Sequence, residues 1–186
     1  MYRPKNFKAN CQVEIPDDYL NGQSMGVLKD MKYGATTLDD AGCGPLAVYN
    51  AMRYLGSPMS LPKVMRELET YAAPIGARLG TSAILMMIFF WRHHVRFRII
   101  RRVKKIDRSH AGIMMYWTKR PVFSGGHFVF YRRDEFGRIS VYNRYSNREE
   151  IYRFDSIGEM LPQNRIIVTF ALKDKAPGNT VTEGEV

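Results

Sequence analysis

Cysteine is scarce in this chain: Cys11 and Cys43 are the two present among 186 residues. A small disulfide-stapled scaffold is thereby excluded, because such folds need several bridges. A single Cys11–Cys43 bridge is the one pairing left, and nothing in the polar stretch around Cys11 signals it. Histidine is no richer, with four copies. The adjacent His93-His94 pair would point to opposite sides of a strand, so no metal-ligand spacing is present and no metal is expected. Acidic residues are also short: 18 Asp and Glu face 28 Lys and Arg, leaving a net charge of +10. A surface of this sign attracts polyanions such as nucleic acid, anionic lipid or wall polymer without choosing among them. Long apolar runs are missing too. The longest, Ala83 to Trp91, is too short to cross a bilayer, and the basic start Met1-Tyr2-Arg3-Pro4-Lys5-Asn6 leads into no apolar segment of the signal-peptide kind. The expectation is a soluble protein, cytoplasmic by default, with export by another route left open.

What is present is enough apolar material for one full core, 45% of the residues, which most simply makes one domain. Residues 1 to about 40 are rich in polar residues, Gly and Pro and read as an extended arm. From Cys43 onward, Leu46, Ala47, Val48, Tyr49, Ala51, Met52, Tyr54 and Leu55 predict a helix that is apolar nearly all round and so belongs in the middle of the protein. Gly56-Ser57-Pro58 stops it. A second helix starts at a Ser60 cap with Pro62 in its first turn. A third follows Thr81 or Ser82 and carries the stripe Leu85 to Trp91, read as core packing.

After His94 the period changes to two. Val95, Phe97 and Ile99 alternate with Arg96 and Arg98, the pattern of a strand with one buried and one basic, wet face. The charge continues through Arg101, Arg102, Lys104, Lys105 and Arg108. The Arg96–Arg108 region is read as a solvated edge that resists strand pairing, and as the place where an anionic surface or polymer would bind. Strands are expected at Ile113 to Trp117, His127 to Arg132, Arg138 to Asn143 and Ile166 to Leu172, with a short helix or turn around Asp155 to Leu161. Helices first and an antiparallel sheet second define the α+β class. The divisions expected are an N-terminal arm, 1–32, a domain, 33–172, and a mobile tail, 173–186.

Three residues carry chemistry in this layout. Cys43, in Asp40-Ala41-Gly42-Cys43-Gly44-Pro45, stands at the first turn of its helix, where the dipole and unpaired N–H groups favour thiolate. His127 opens a strand after Gly125-Gly126. Asn143 closes the next, across a hairpin loop Asp134-Glu135-Phe136-Gly137. The register then places His127 opposite or nearly opposite Asn143, whose carboxamide oxygen would accept the imidazole N–H. His127, Val129 and Tyr131 share a face with Ile139, Val141 and Asn143. That face, packed on the helix of Cys43, would bring imidazole to sulfur.

The Gly42-Cys43-Gly44-Pro45 run with its helix, the Gly125-Gly126-His127-Phe128-Val129 strand and the hairpin ending at Asn143 resemble the papain-like cysteine peptidases. They look closest to the bacterial branch that processes double-glycine leader peptides. The resemblance spans roughly residues 33 to 171. It implies a papain-like fold, Cys43 as nucleophile, His127 as general base and later acid, Asn143 as orienting group, a peptide or protein substrate, and no cofactor. The family's oxyanion glutamine, six positions before the cysteine, is here Thr37, a shorter donor. The leader-peptidase branch usually has Asp where this chain has Asn143. Three alternatives stand beside a peptidase: an inactive domain of the same fold that binds a protein partner, a cationic module for nucleic acid or wall polymer, and an acyltransferase with the same triad.

Overall fold

Pro4, whose fixed φ suits a first helical turn, opens the chain's first element, and the rest follow in order. The helices are α1 (Pro4–Asn10), α2 (Leu38–Ala41), α3 (Cys43–Tyr54), α4 (Leu61–Tyr71), α5 (Ala83–Arg92), α6 (Val103–Ile106) and α7 (Ile157–Met160). The strands are β1 (Lys32–Tyr33), β2 (Thr36–Thr37), β3 (Phe97–Ile100), β4 (Ala111–Trp117), β5 (Gly126–Arg133), β6 (Ile139–Tyr142), β7 (Tyr152–Phe154) and β8 (Ile166–Leu172). This computed structural model describes residues 3–71, 77–118, 125–161 and 165–173. The expected tail lies outside them from residue 174 on. No helix among the described residues is long and apolar enough to cross a membrane.

Among the described residues six strands form one antiparallel sheet in the order β3-β8-β4-β5-β6-β7, and β1 and β2 form a separate hairpin. Two cores result. Helices α3, α4 and α5 cover one face, where Leu46, Ala47, Ala51, Leu68 and Phe89 meet Ile113, Phe128, Phe130 and Phe170. On the other face α6 and α7 bring Ile106, Ile157 and Met160 onto Met114, Tyr116, Val129, Tyr131, Ile139 and Val141. The architecture is α+β, helices with an antiparallel sheet.

The helix after Cys43 is central because its surface is apolar almost all round: Leu46, Val48 and Ala51 have no accessible surface. Around α4 the apolar residues recur at helical spacing instead, and Leu61, Val64, Met65 and Leu68 are the buried stripe. Ser82 caps α5 by accepting from the Leu85 N–H at 3.3 Å. Met86, Phe89 and Phe90 of its stripe are buried, and Trp91 points out. The polar N-terminal stretch is held to this body, with Leu20, Leu28 and Met31 buried in the larger core. The hairpin at residues 134–137 closes as its turn chemistry requires, Gly137 taking φ 79° and its N–H donating to the Asp134 carbonyl. β7 has no counterpart in the sequence pattern, since three residues hold too little alternation to register.

Candidate active site

Cys43 is the first residue of α3, capped by Gly42. The short helix α2 runs straight into it, and the Gly42 N–H donates to the Leu38 carbonyl at 2.8 Å. A side chain on Gly42 would stand 2.4 Å from that same carbonyl oxygen, and one on Gly44 would stand 2.4 Å from the Thr81 hydroxyl. Both glycines flanking the thiol are therefore required by close approach rather than by backbone conformation. Thr81 is itself fixed, bonding the buried Tyr33 hydroxyl at 2.9 Å.

The sulfur meets β5 at its beginning. β6 leaves β5 after the pair Phe130 and Tyr142, so among the described residues no strand lies on the outer edge of β5 before Phe130, and the Phe128 N–H reaches the Cys43 sulfur. The thiol thus sits against the peptide that joins His127 to Phe128. Its surroundings set its charge. Cys43 retains some accessible surface, yet dense protein around the sulfur pushes the thiol up from its ordinary value, against the N–H groups of Phe128, Gly44 and Cys43 itself, which favour thiolate. Desolvation outweighs the helix terminus, so the resting group is a thiol. This reverses the ionisation expected from the helix terminus alone. Both Cys43 and Cys11 are free.

His127 is held through Nε2, which lies 2.6 Å from the Asn143 main-chain carbonyl oxygen. A carbonyl only accepts, so Nε2 carries the proton and the neutral ring leaves Nδ1 as its acceptor. Tyr116 packs edge-on against the ring at 5.8 Å between centroids. Burial draws the imidazole down from its ordinary value, the Asn143 carbonyl opposes that, and the Arg144 guanidinium adds to it. Thiol and imidazole are accordingly both neutral at rest.

Two expectations about this geometry need correction. The face shared by His127, Val129 and Tyr131 packs on α6 and α7, whereas α3 lies on the opposite face with Phe128 and Phe130. What meets the Cys43 sulfur is the Phe128 N–H of the neighbouring peptide. The carboxamide of Asn143 also does not meet the ring. In the observed register Phe130 faces Tyr142, two residues away from the pairing expected, and Asn143 turns out of the strand with φ 57°, a conformation Asn tolerates better than most residues. That turn swings the main-chain carbonyl, rather than the side chain, onto the imidazole.

The side chain of Asn143 is buried and pairs with Gln23. Nδ2 donates to Gln23 Oε1 at 3.0 Å, and the Gln23 N–H donates to Asn143 Oδ1 at 3.2 Å. Gln23 Nε2 in turn donates to the Leu38 and Asp39 carbonyls, each at 3.0 Å. A chain of hydrogen bonds thereby runs from the segment before Cys43, through Gln23, to the residue that holds His127. Gln23 escaped the sequence reading because an isolated glutamine in a polar, Gly-rich stretch carries no pattern. Thr37 is half-buried at the N-cap of α2, and its hydroxyl makes no capping bond there. Thr36 Oγ1 donates to Asp40 at 2.5 Å. The basic stretch lies apart, at the sheet edge, where Arg98, Arg101, Arg102, Lys105 and Arg108 line a cavity of about 990 Å³.

No protein-family model matches the sequence, and no curated protein does either. A search of solved structures finds the peptidase domain of Streptococcus ComA, a bi-functional ABC transporter involved in a quorum-sensing pathway. The two chains superpose with a TM-score of 0.53 at 15% identity, over 77% of this chain and 100% of that one. The fold is papain-like. On this fold Cys43 opens α3, His127 stands near the start of β5 and Asn143 directly follows β6.

Proposed function

We propose that the protein is a cysteine peptidase that cleaves a peptide bond through an acyl-enzyme on Cys43. The observation that carries this reading is the single locus formed by the Cys43 thiol on the 127–128 peptide and the His127 ring fixed by the Asn143 carbonyl. With both groups neutral at rest, the reaction begins with a transfer. His127 Nδ1 takes the thiol proton as sulfur attacks the substrate carbonyl carbon, giving a tetrahedral oxyanion and an imidazolium. The imidazolium then gives its proton to the leaving amine as the C–N bond breaks. Water, deprotonated by the same ring, hydrolyses the thioester and regenerates the thiol.

Asn143 acts as the positioning residue through its carbonyl, which holds the Nε2 proton and so presents Nδ1 to the sulfur. The oxyanion takes the Cys43 N–H and, in this reading, the Thr37 hydroxyl. Gln23 is not that donor, because both protons of its amide are committed to the Leu38 and Asp39 carbonyls. By similarity to the leader-processing peptidases, the substrate has small residues before the cleaved bond.

Incubation with a panel of peptide aldehydes, followed by mass spectrometry, tests the reading. A thiohemiacetal on Cys43 and none on Cys11, lost in His127→Ala, is expected. Equal labelling of the two cysteines, or adduct formation indifferent to His127, would overturn it. Cleavage products carrying an added amine in place of water would reassign the same site to acyl transfer.

A further inference from the structure

Arg144 is half-buried, and among the described residues it has no counter-charge. Its Nη1 donates to the Tyr116 hydroxyl at 2.5 Å and its Nη2 to the Met160 carbonyl at 3.2 Å. The guanidinium also stacks over the rings of Tyr116 and Tyr145, at 5.1 and 5.2 Å. Nε is buried with no hydrogen-bond partner, and among the described residues no carboxylate lies within ion-pairing distance of the group. Removing a charge from water without pairing it is costly. This one is held rigidly at that cost in the residue that follows Asn143.

The guanidinium borders a cavity of about 400 Å³ lined by Tyr116, Trp117, Arg144, Tyr145, Met160 and Arg165 among others, with no acidic residue among the described residues of its wall. Tyr116 joins cavity and site, since its ring carries the edge contact to His127. The cavity therefore adjoins the imidazole through Tyr116, with neither His127 nor Cys43 on its wall. In acyl transfer the imidazole side is that of the leaving group, because the imidazolium must reach the departing nitrogen. The volume suits a residue or two of peptide, the aromatic walls suit its carbon atoms, and the fixed guanidinium suits a carboxylate.

We infer that the cavity is a carboxylate-binding subsite on the leaving-group side, with Arg144 as the specificity-determining residue. The inference rests on the peptidase reading for its placement, but not for the existence of the pocket. Two sources of carboxylate fit: an acidic side chain just after the cleaved bond, or the free C-terminus of a short leaving segment.

The probes are peptides with Gly-Gly before the bond that differ only by Glu or Gln at the first or second position after it, each with a free or an amidated C-terminus. Binding to full-length Cys43→Ala is read by fluorescence polarisation, and cleavage by the wild type by mass spectrometry. At least about tenfold tighter binding of one carboxylate form over its neutral counterpart is expected, as a charge-assisted hydrogen bond in a partly dry site would give. Arg144→Gln should bring that ratio near one, and Arg144→Lys should restore part of it. A general packing role would lower binding of every peptide equally and leave the ratio intact. A ratio near one in the unaltered protein, a preference that survives Arg144→Gln, or no binding of any form would each overturn the inference, the first and last without depending on how a variant folds. Discrimination in binding with no cleavage would sink the peptidase reading alone, and cleavage without discrimination would sink the pocket alone.

Discussion

The main-chain carbonyl of Asn143, not its side chain, holds the His127 ring, at 2.6 Å from Nε2. The carboxamide is engaged elsewhere, on Gln23. Position 143 thus separates two jobs that a sequence motif would merge: orienting the imidazole and tying the hairpin to the segment before the nucleophile.

Asn143→Gly and Asn143→Ala should differ for that reason. Both leave the Gln23 amide oxygen unpaired in the interior, at about 1–3 kcal/mol. Alanine also carries the left-handed strain of φ 57°, about 1–2 kcal/mol more. Urea unfolding should rank the wild type as the most stable, the glycine variant next and the alanine variant last. Labelling by peptide aldehyde should survive in the glycine variant, since its carbonyl remains. Loss of labelling as complete as in His127→Ala would give the orienting role back to the carboxamide.

Gln23→Leu removes the donor to the Asp39 carbonyl and the acceptor for Asn143 Nδ2 together. Destabilisation of about 1–3 kcal/mol is expected, because buried Asn143 Nδ2 and the partly buried Asp39 carbonyl lose their partners while the Leu38 carbonyl keeps the Gly42 N–H. The thermal midpoint should fall accordingly, and the rate of Cys43 adduct formation with it. An unchanged midpoint would mean that water replaces the amide.

Gly42→Ala and Gly44→Ala should both be costly, Gly42 the more so. The obstacle at residue 42 is a main-chain oxygen, whereas at residue 44 it is the Thr81 side chain. Overpacking of this kind costs about 1–3 kcal/mol. Gly26→Ala, where the added carbon meets nothing within 4 Å, is the control for backbone conformation alone. Thermal melting of the three variants gives the order.

Acid should weaken the fold through His127. Burial holds the imidazole below its ordinary value of 6.5, so as pH falls below that value the unfolded chain takes up the proton first and stability declines toward the lower native value. Urea unfolding of His127→Gln should show a shallower loss across that window. The Cys43 thiol, pushed above its ordinary 9.0, works in the opposite direction: the unfolded thiol ionises first as pH rises, and stability declines above that value. Alkylation of Cys43 by iodoacetamide should consequently lag behind exposed Cys11 at neutral pH, with the gap narrowing as alkali ionises the buried thiol.

Much of the scaffold was readable from local pattern. The all-round apolar surface of α3, the Ser82 cap of α5 and the Gly137 turn each follow from interactions within a few residues, the range at which sequence acts directly, whereas the period-two run before β3 breaks at Ile99, which is exposed while Ile100 turns inward. The strand face shared by His127, Val129 and Tyr131 was readable as well. Which layer would cover it was not, because alternation marks two faces without naming the helix on either.

The sequence by itself determined the α+β layout and put Cys43, His127 and Asn143 at element ends, since capping, periodicity and turn chemistry are local. Only the tertiary structure decided that β6 parts from β5 at Tyr142, that the vacated edge hands the Phe128 N–H to the sulfur, that Gln23 bridges the two halves and that Arg144 meets no counter-charge among the described residues. Those features depend on register and desolvation, which are set by contacts between segments more than a hundred residues apart in the case of Gln23 and Asn143. No local pattern encodes them.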